Sequence, residues 1–599
     1  MKKLFLLITI ALCSFYLHAQ DVPNQITNTV ELNNTVQAAG DIEVQSGAEL
    51  VVTGILKVSD NASIIVYPGG KLTINGGTIT SMGANRMWKG VVIMGKNQYP
   101  QSASHQGYVY LYNGVIENAV TGVQVWDGTN SSTGGGVIHA YNSTFKNNKQ
   151  AVEFGPYSEG LLGSETLLSK SYFTRCTFTI DNNHYLTANN HTFSRHVYLN
   201  NLAGIRFSGC AFKNETTAYP NGNSMRGRGI YANNAEFTLT YHCQLLIPAE
   251  KSLPVDPGIP GTIEEEMIYC PGGFRSSTFN GFYYGVYVSN PSRHQGFLIT
   301  NTTFTNNYTG IFASNTKNAA ITSSTFNTSF TGSVKGIYLS NCSGYEVRRN
   351  NFYGLSTSSA SAQNCYGIYV YYSGTDNNIL YRNYFSKMGY GIYVNGNNGL
   401  NNNFTDQGLM FQCNTFLESR YGIYITDNAT VRLSQGSVSA GADNKFRDNL
   451  TDIRANTQNY IFYYYSQGNS QHAPVNIIGN LLTNNTAASA NCNSAVYQPA
   501  SETVTPAEAR NRVAEAEQTS LSVDVYPNPV TDKVTIAFSE SLEQPLQVQF
   551  FDMTGRCVHK EMISGQNASV TLNHLTAGIY FYQISDNGKI ISRAKLIKE

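Results

Sequence analysis

The amino-acid sequence predicts an all-β fold, in which a long solenoid of short parallel strands is followed by a small β-sandwich. Three observations support this prediction. A Gly-Ile-Tyr motif returns through the middle of the chain, and a second motif that ends in Phe accompanies it. The Gly-Ile-Tyr segments alternate with the period of two residues that is typical of strands. After Cys492 the composition changes, which indicates a separate C-terminal unit.

The first nineteen residues have the features of an export signal. A basic pair, Lys2 and Lys3, precedes an apolar segment (4–12), and Ala19 ends an acceptable cleavage site. The apolar segment is shorter than the roughly 18–20 residues that span a bilayer, and no later segment reaches that length. We therefore expect the signal peptide 1–19 to direct export of a chain without a transmembrane segment.

The charge balance excludes several classes of partner. The chain of 599 residues has 39 basic and 39 acidic residues, so its formal net charge is zero. A neutral chain lacks the electrostatic surface that nucleic acids and anionic membranes require, and we predict neither as a partner. We also expect no strong attraction to a polyanion such as pectate or alginate. Apolar residues make up 41% of the chain, which indicates folded structure.

Nine cysteines remain after removal of the signal, and they are too dispersed for a dense disulfide framework. Cys243 and Cys270 bracket a Pro-rich stretch, so they are the best candidates for a disulfide bond in an oxidising compartment. Cys176 and Cys210 each precede a Phe at equivalent positions in the repeat. We expect these two residues to be small buried thiols.

The Gly-Ile-Tyr motif defines the repeat. Its glycines lie 24 to 31 residues apart, except for one interval of 56 that spans about two periods. Spacing of this size is typical of a solenoid. The segments are short, rich in Ile, Val and Tyr, and separated by Asn, Gly and Ser, so we predict strands. The aligned segments are 203–206, 228–231, 284–287, 309–312, 335–338, 366–369, 390–393 and 421–424.

A second predicted strand, ending in Phe, accompanies most repeats. We expect its Phe side chains to point inward and to form the core. We also expect the Asn residues two positions before Phe to form a hydrogen-bonded ladder at a corner. The predicted core column is Phe279, Phe304, Phe326, Phe352, Phe385 and Phe416, and the predicted ladder is Asn350, Asn383, Asn414 and Asn444.

Coils of short parallel strands that stack on one another form a parallel β-helix. Residues 25–490 resemble the right-handed parallel β-helix superfamily that includes pectate-lyase-like proteins. The predicted strands 48–55, 62–66 and 71–74 fit the opening coils, and MWKGVVIMG (87–95) resembles a Trp-x-Gly strand common in that superfamily. The resemblance implies a right-handed parallel β-helix, and a fold of this kind implies no particular activity.

The last eighty residues contain a different set of motifs. VYPNPV (525–530), FDMTGRCV (551–558) and the segment 572–599 follow one another in the order found in the C-terminal sorting domain of the type IX (Por) secretion system of Bacteroidota. This resemblance implies the type IX machinery as a partner, and delivery across the outer membrane followed by release or surface attachment. Alternating strands with Asp and Gly turns predict a small β-sandwich. The predicted domains are a β-helix (20–492), a linker (493–520) and the sorting domain (521–599).

The last residue of each Gly-Ile-Tyr motif points away from the core if the strand alternates. Coils stack about 4.8 Å apart, so these side chains would form a continuous column. Such a column can stack on sugar rings. It can also stabilise in-register strands without any ligand, which is the simpler explanation. The predicted column is Arg206, Tyr231, Tyr287, Phe312, Tyr338, Tyr369, Tyr393 and Tyr424, and its aromatic members are the candidate ligand-binding residues.

The sequence identifies no catalytic residue, and we predict no metal site and no cofactor. His184, His191 and His196 have spacings that fit no metal-ligand pattern, so we expect them at the surface. Isolated acidic residues such as Asp406 have no acidic neighbour in sequence, and no acidic cluster accompanies basic residues such as Arg348.

Two functions remain open at this level. We predict a secreted or surface-attached β-helix protein that binds an extracellular polysaccharide or acts as an adhesive or structural element. The alternative is a polysaccharide lyase or a glycoside hydrolase, whose carboxylates can assemble in a cleft from distant coils. A charged cluster in a groove beside the Gly-Ile-Tyr strands would favour the enzyme, and a smooth aromatic face would favour binding.

Overall fold

The computed structural model contains two compact units, whose described residues lie within 22–492 and 523–599. The predicted signal peptide and linker lie outside the described residues. The regular elements are strands and short 3-10 helices, which include Ser131–Thr133, Thr187–Asn189 and Ser470–His472. The described residues are 22–157, 168–217, 226–243, 274–291, 296–328, 333–354, 364–400, 406–467, 470–487, 492, 523–538, 542, 544–552, 556–586 and 589–599.

Each coil of the first unit supplies one strand to a parallel sheet that we call sheet 1. This sheet has sixteen strands in the described ranges, and each strand pairs in parallel with the strand of the next coil. The strands of sheet 1 are Gln25–Ile26, Ile42–Val44, Ser63–Val66, Gly90–Ile93, Thr121–Val125, Gln150–Phe154, Arg195–Asn200, Arg228–Asn233, Tyr284–Ser289, Thr309–Ser314, Val334–Ser340, Cys365–Tyr371, Tyr390–Asn395, Tyr421–Ile425, Thr451–Ala455 and Ile477–Gly479.

After sheet 1 the chain passes through two further parallel sheets before it begins the next coil. Sheet 2 consists of Thr29–Leu32, Glu49–Val52, Lys71–Asn75, Tyr108–Tyr112, Val137–Tyr141, Tyr172–Thr174, Ile205–Ser208, Phe237–Thr240, Leu298–Thr300, Ala320–Thr322, Glu346–Arg348, Ile379–Tyr381 and Met410–Gln412. Sheet 3 consists of Thr35–Ala38, Ile55–Val58, Thr78–Ser81, Val115–Glu117, Thr144–Lys146, Thr177–Ile180, Ala211–Asn214, Ser277–Asn280, Thr302–Thr305, Thr325–Asn327, Asn351–Tyr353, Tyr384–Ser386, Thr415–Leu417 and Lys445–Arg447.

These three sheets confirm the predicted parallel β-helix. In the last coils a separate parallel sheet takes the place of sheet 2 in chain order, with strands Ser434–Gln435, Ile461–Ser466 and Leu481–Ala487. A short antiparallel pair, His242–Cys243 and Phe274–Arg275, flanks a stretch that lies outside the described residues. One predicted opening strand, 48–55, is two strands, because the chain turns a corner at Gly54, where a Cβ would lie 2.3 Å from the Asn34 carbonyl oxygen.

The Gly-Ile-Tyr strands and the Phe strands are coupled through the core. A Cβ on Gly391 would lie 2.7 Å from the Gly422 carbonyl oxygen and 2.7 Å from Cδ1 of Phe416, which belongs to sheet 3 of the same coil. Glycine is therefore the residue that lets the Phe ring pack against the backbone of sheet 1. The predicted Phe column is confirmed and runs from Phe145 to Phe446, with ring centroids 4.4 to 5.4 Å apart.

The predicted asparagine ladder is also confirmed, at the corner between sheets 2 and 3. Oδ1 of Asn414 accepts hydrogen bonds from the backbone N–H of Asn383 at 3.0 Å and from its side-chain amide at 3.0 Å. Nδ2 of Asn414 donates both to the Leu380 carbonyl at 2.8 Å and to Oδ1 of Asn444 at 2.9 Å. These buried amides satisfy backbone groups that the corner leaves without strand partners.

The predicted disulfide bond between Cys243 and Cys270 lies outside what the structure describes, because neither side chain is among the described ones. The structure instead contains a disulfide bond that the sequence did not predict, between Cys413 and Cys492, which are 79 residues apart. It ties the last described residue of the first unit to the corner of an earlier coil. Cys176 and Cys210 are free and buried, as predicted.

The second unit consists of two antiparallel sheets over a common core, which agrees with the predicted small β-sandwich. One sheet contains Val523–Tyr526, Lys533–Phe538 and Asn567–Thr571. The other contains Leu546–Phe551, Cys557–Ile563, Gly578–Asp586 and Lys589–Lys598. Across the described ranges, no helix has the length and apolar character needed to cross a membrane.

Candidate functional site

The aromatic residues that end the Gly-Ile-Tyr motifs form one continuous column on the outer side of sheet 1. Each ring is half-buried, and neighbouring ring centroids are 4.7 to 5.2 Å apart. The spacing follows from the in-register pairing of the strands. The structure brings together all seven candidate residues, and their role in ligand binding stays a prediction. The column is Tyr198, Tyr231, Tyr287, Phe312, Tyr338, Tyr369, Tyr393 and Tyr424.

The prediction that Arg206 belongs to this column is wrong. Residues 203–206 contain a Gly-Ile pair, but Ile205–Ser208 is a strand of sheet 2, where Arg206 pairs in register with Tyr172 and Thr238. The sheet 1 strand of that coil is Arg195–Asn200, and its Tyr198 packs on Tyr231 at 5.1 Å.

A second outward column, which the sequence reasoning missed, runs beside the first. It is formed by the residue that precedes each glycine of the motif, and by Arg195, which pairs in register with Arg228 but precedes His196. In strands such as Tyr390–Asn395 the burial pattern is outward at the first residue, inward at Gly and Ile, and outward again at Tyr, so alternation breaks at the glycine. Thr309 occupies the equivalent position but is buried. The sequence contained the signal in the residue before each glycine. This column is Arg195, Arg228, Tyr284, Thr309, Lys335, Tyr366, Tyr390 and Tyr421. We call the two columns together the aromatic face.

Six tyrosines from three successive coils form the densest part of the aromatic face. In each column the rings are near-parallel, as for Tyr390 and Tyr421 at 5.1 Å and 10°, and Tyr393 and Tyr424 at 5.2 Å and 10°. Between the columns they are near-perpendicular, as for Tyr390 and Tyr393 at 5.3 Å and 86°. Near-parallel rings at this spacing and perpendicular rings beside them are the two arrangements that aromatic pairs prefer. The six are Tyr366, Tyr369, Tyr390, Tyr393, Tyr421 and Tyr424.

Burial raises the pKa of four phenols in this cluster, those of Tyr366, Tyr369, Tyr390 and Tyr393. Burial, followed by the neighbouring phenols of Tyr369 and Tyr424, raises the pKa of Tyr393 to about 12. Burial also raises the pKa of Tyr284 to about 12, and the pKa of Tyr366 rises for the same reason. A neutral phenol both donates and accepts hydrogen bonds, so the face presents polar groups along an apolar surface.

Cationic side chains lie among the rings. The Arg228 guanidinium is 4.9 Å from the ring centroid of Tyr287 and 5.2 Å from that of Tyr231. The Lys335 ammonium lies 5.4 Å from Tyr366, and burial lowers its pKa. Cation–π contacts of this kind hold the cations at the surface of the sheet. At the far end Arg454 lies over Tyr424 at 4.8 Å and Arg420 over Tyr421 at 5.3 Å.

A third outward row, beside the aromatic column, carries mainly amides and hydroxyls. The Asn233 amide donates to Oδ1 of Asn200 at 3.0 Å, and Thr426 Oγ1 donates to Oδ1 of Asn395 at 3.2 Å. Hydrogen-bonding groups therefore flank the rings along the face. The row is Asn200, Asn233, Ser289, Ser314, Ser340, Tyr371 and Asn395.

One carboxylate lies at the N-terminal end of the aromatic face. Glu153 pairs in register with Tyr198, accepts a hydrogen bond from the Trp126 indole at 3.2 Å, and accepts another from the Gln150 amide at 2.6 Å. Gln150 in turn accepts from Nε of Arg195 at 2.8 Å. Sequence reasoning did not single out these residues, because Trp126, Glu153 and Arg195 are distant in the chain and meet only through the stacking of coils.

The histidine prediction is wrong for His196. This residue is buried in sheet 1, its Nε2 lies 2.9 Å from the Lys213 carbonyl oxygen, and burial lowers its pKa to about 4. His184 and His191 are half-buried. Within the described part of the chain, no group of three His, Cys, Asp or Glu side chains is placed to hold a metal ion. Arg348 and Asp406 form ion pairs, with Glu346 and Arg432 respectively.

A small pocket lies near the C-terminal end of the β-helix, between residues 428–433 and 457–461. Its volume of about 80 Å³ is well below the roughly 300 Å³ at which ordinary small-molecule sites begin. The aromatic face is open and extended, so a long ligand can lie along it.

Two family models match the chain. Residues 270–407 match the right-handed β-helix region, and residues 524–599 match the secretion system C-terminal sorting domain. No curated protein matches the chain.

Among solved structures, the chain is similar to two mutant tailspike proteins of E. coli bacteriophage HK620, both in complex with pentasaccharide. One is 11% identical with a TM-score of 0.42, and the other is 12% identical with a TM-score of 0.41. In both comparisons 91% of this chain and 86% of the other are covered. Values this low say nothing about a shared ligand. From the sheets and the two family matches, the chain is a right-handed parallel β-helix protein with a type IX C-terminal sorting domain, secreted to or beyond the cell surface.

Proposed function

We propose that the aromatic face binds an extracellular glycan, and that the protein is a secreted or surface-attached glycan-binding element with an adhesive role. The observation that carries this proposal is the double column of half-buried rings, flanked by a row of amides and hydroxyls. Sugars present apolar ring faces and a rim of hydroxyls, so they match a surface of aromatic area beside hydrogen-bonding groups.

The rigidity of the face supports ligand binding beyond its role in stability. The rings hold one another in place, as Tyr390 does with Tyr366 at 4.8 Å and with Tyr421 at 5.1 Å. Side chains that are already ordered lose little rotamer entropy when a ligand arrives. Stability alone explains the stacking, but it does not require the adjacent polar row or the cations among the rings.

The length of the face favours a polymer. The first column spans seven coil steps from Tyr198 to Tyr424, or about 34 Å at about 4.8 Å per step. One coil step is comparable with the length of one sugar residue. Affinity should therefore rise with the length of the oligosaccharide until the face is covered.

The test is binding of the purified chain to a panel of extracellular polysaccharides. Tyr393→Ala should weaken retention about tenfold, within the range of roughly 1–3 kcal/mol that an aromatic stacking contact contributes. Tyr353→Ala is the matched control, because Tyr353 is an exposed tyrosine of sheet 3. Equal binding by the wild type and the Tyr393 variant to every retained glycan would overturn the proposal.

A second candidate function is glycan cleavage at the N-terminal end of the face. The observation that favours it is Glu153, a carboxylate beside Tyr198 with Arg195 close by. A hydrolase requires a pair of carboxylates, and within the described residues Glu153 is the one carboxylate at an outward position next to the rings. New reducing or unsaturated ends in the same panel, abolished by Glu153→Gln, would establish an enzyme.

A further inference from the structure

The geometry points to a more specific ligand: a heteropolysaccharide in which one anionic group recurs every three or four sugars. This inference rests on the proposed function of the aromatic face. It concerns the charge of the ligand and the spacing of that charge, which neither the family matches nor the net charge of the chain addresses.

The first step is the charge of the face itself. Four outward positions on sheet 1 carry cations, namely Arg195, Arg228, Lys335 and Arg454. Among the described residues between these first and last strands, no outward position is occupied by Asp or Glu. Asp452 in the last of these strands is buried, where it accepts hydrogen bonds from Val475 N–H and Asn476 N–H. The face is locally cationic, although the whole chain is neutral.

The second step is the state of these cations. Nε of Arg228 and Nε of Arg454 are both buried and have no hydrogen-bond partner. Arg195, in contrast, donates its Nε to Gln150 and lies near Glu153. A buried guanidinium N–H without an acceptor is costly, and an anionic oxygen of a ligand would satisfy the adjacent donors of the same group. Arg228 and Arg454 are therefore two points for an anion, the second shared with Arg420 of the preceding coil. Lys335, whose Nζ donates to the neutral Oγ of Ser333 at 3.3 Å, is a third.

The third step is the spacing of those points along the sheet. Three coil steps separate the strand of Arg228 from that of Lys335, and four separate the strand of Lys335 from that of Arg454. At about 4.8 Å per step these separations are about 14 and 19 Å. Between the points the face presents mainly Tyr and Phe rings, which match uncharged sugars and offer no countercharge to a uronate.

This spacing excludes two extremes. A neutral glycan offers no countercharge to any of the three cations. A polyuronate places a carboxylate over every ring, where it loses hydration without gaining an ion pair. A linear glycan with one anion in each repeat of three or four sugars matches both the rings and the cations.

The experiment measures dissociation constants of the full chain for size-matched fragments of four glycans at low ionic strength. The probes are gellan, in which one sugar of each tetrasaccharide is a glucuronate, gellan with its carboxylates reduced to alcohols, polygalacturonate, and a sparsely sulfated galactan. We expect gellan to bind about tenfold more tightly than reduced gellan, with the difference shrinking as salt is added. The sulfated galactan separates the two sources of charge: binding equal to that of gellan indicates any anion, and weaker binding indicates a carboxylate.

Substitutions locate the effect. Lys335→Gln should weaken gellan binding about fivefold and should weaken the binding of reduced gellan by less. Lys445→Gln removes an exposed cation of sheet 3 and should change neither. Reduced gellan or polygalacturonate binding as tightly as gellan, in a manner that still depends on Tyr393, would overturn this inference and leave the proposed function standing. Glycan binding that is insensitive to Tyr393→Ala, or no binding at all, would overturn both.

Discussion

Substitution of Gly391 by alanine tests the packing that couples the Gly-Ile-Tyr strand to the Phe column. The new Cβ would lie 2.7 Å from the Gly422 carbonyl oxygen and 2.7 Å from Cδ1 of Phe416, where ordinary contacts are about 3.5–4.0 Å. The ring and the neighbouring strand must therefore move by close to 1 Å. Overpacking of this kind costs about 1–3 kcal/mol, and two contacts at once place the cost near the upper end. The lower entropy of the unfolded alanine chain offsets about 0.4–1 kcal/mol, so we expect a net loss of about 2 kcal/mol.

The assay is urea unfolding of the full chain, combined with hydrogen exchange that locates the loss in the coils around residue 391, because solenoids can unfold locally. Gly40→Ala is the control, since the nearest atom to its new Cβ would be the Asn24 amide at 3.8 Å. Phe416→Ala removes the ring, so in that background the cost of Gly391→Ala should fall by about 1–2 kcal/mol. The reasoning fails if Gly391→Ala is as stable as Gly40→Ala, or if its effect is unchanged without the ring.

Three further predictions concern other parts of the chain. Asn414→Ala should destabilise the β-helix by about 2–4 kcal/mol in urea unfolding, because it leaves several buried hydrogen-bonding groups unpaired; a loss below 1 kcal/mol would contradict the ladder. Because burial raises the pKa of Tyr393 to about 12, the unfolded chain loses this phenol proton at lower pH than the folded chain does, so the stability contributed by the neutral phenol is fully present below about pH 10 and falls between about pH 10 and 12. Phenolate absorbance of the folded chain should lag that of the urea-unfolded chain over this range, and coincident curves would refute the burial argument. Deletion of residues 521–599 should leave the β-helix in the periplasm by cell fractionation, and normal delivery of the truncated protein to the surface or medium would refute the sorting role.

The fold was predictable because the repeat has a short period and its two motifs recur together in most coils. Each coil carries one Phe of the core column and one glycine of the Gly-Ile-Tyr motif, such as Phe416 and Gly391, which the structure places in contact. The regular spacing of both motifs was visible in the sequence. The corner ladder was predictable for the same reason, since each of its asparagines, such as Asn414, lies two residues before a Phe of the core column.

The candidate site was only partly predictable, because exposure depends on which sheet a strand joins and on where alternation breaks. Residues 203–206 resemble the motif, yet Arg206 lies on sheet 2, where it pairs with Tyr172. The sheet that a strand joins is determined by strand pairing, which a four-residue motif does not reveal. Strict alternation counted back from Tyr393 predicts that Tyr390 faces inward. In the structure Gly391 and Ile392 both face inward, so Tyr390 faces outward. Glu153 and Trp126 meet through coil stacking, which leaves no trace in local sequence.

The measurement that bears most directly on the central claim is a crystal structure of the full chain with a bound oligosaccharide taken from the best-binding glycan of the panel. We predict that the sugar lies along sheet 1 over the six tyrosines from Tyr366 to Tyr424, with an anionic group within hydrogen-bonding distance of Lys335 or Arg454. An oligosaccharide bound to sheet 2, to sheet 3 or to the sorting domain, with the aromatic face bare, would contradict it.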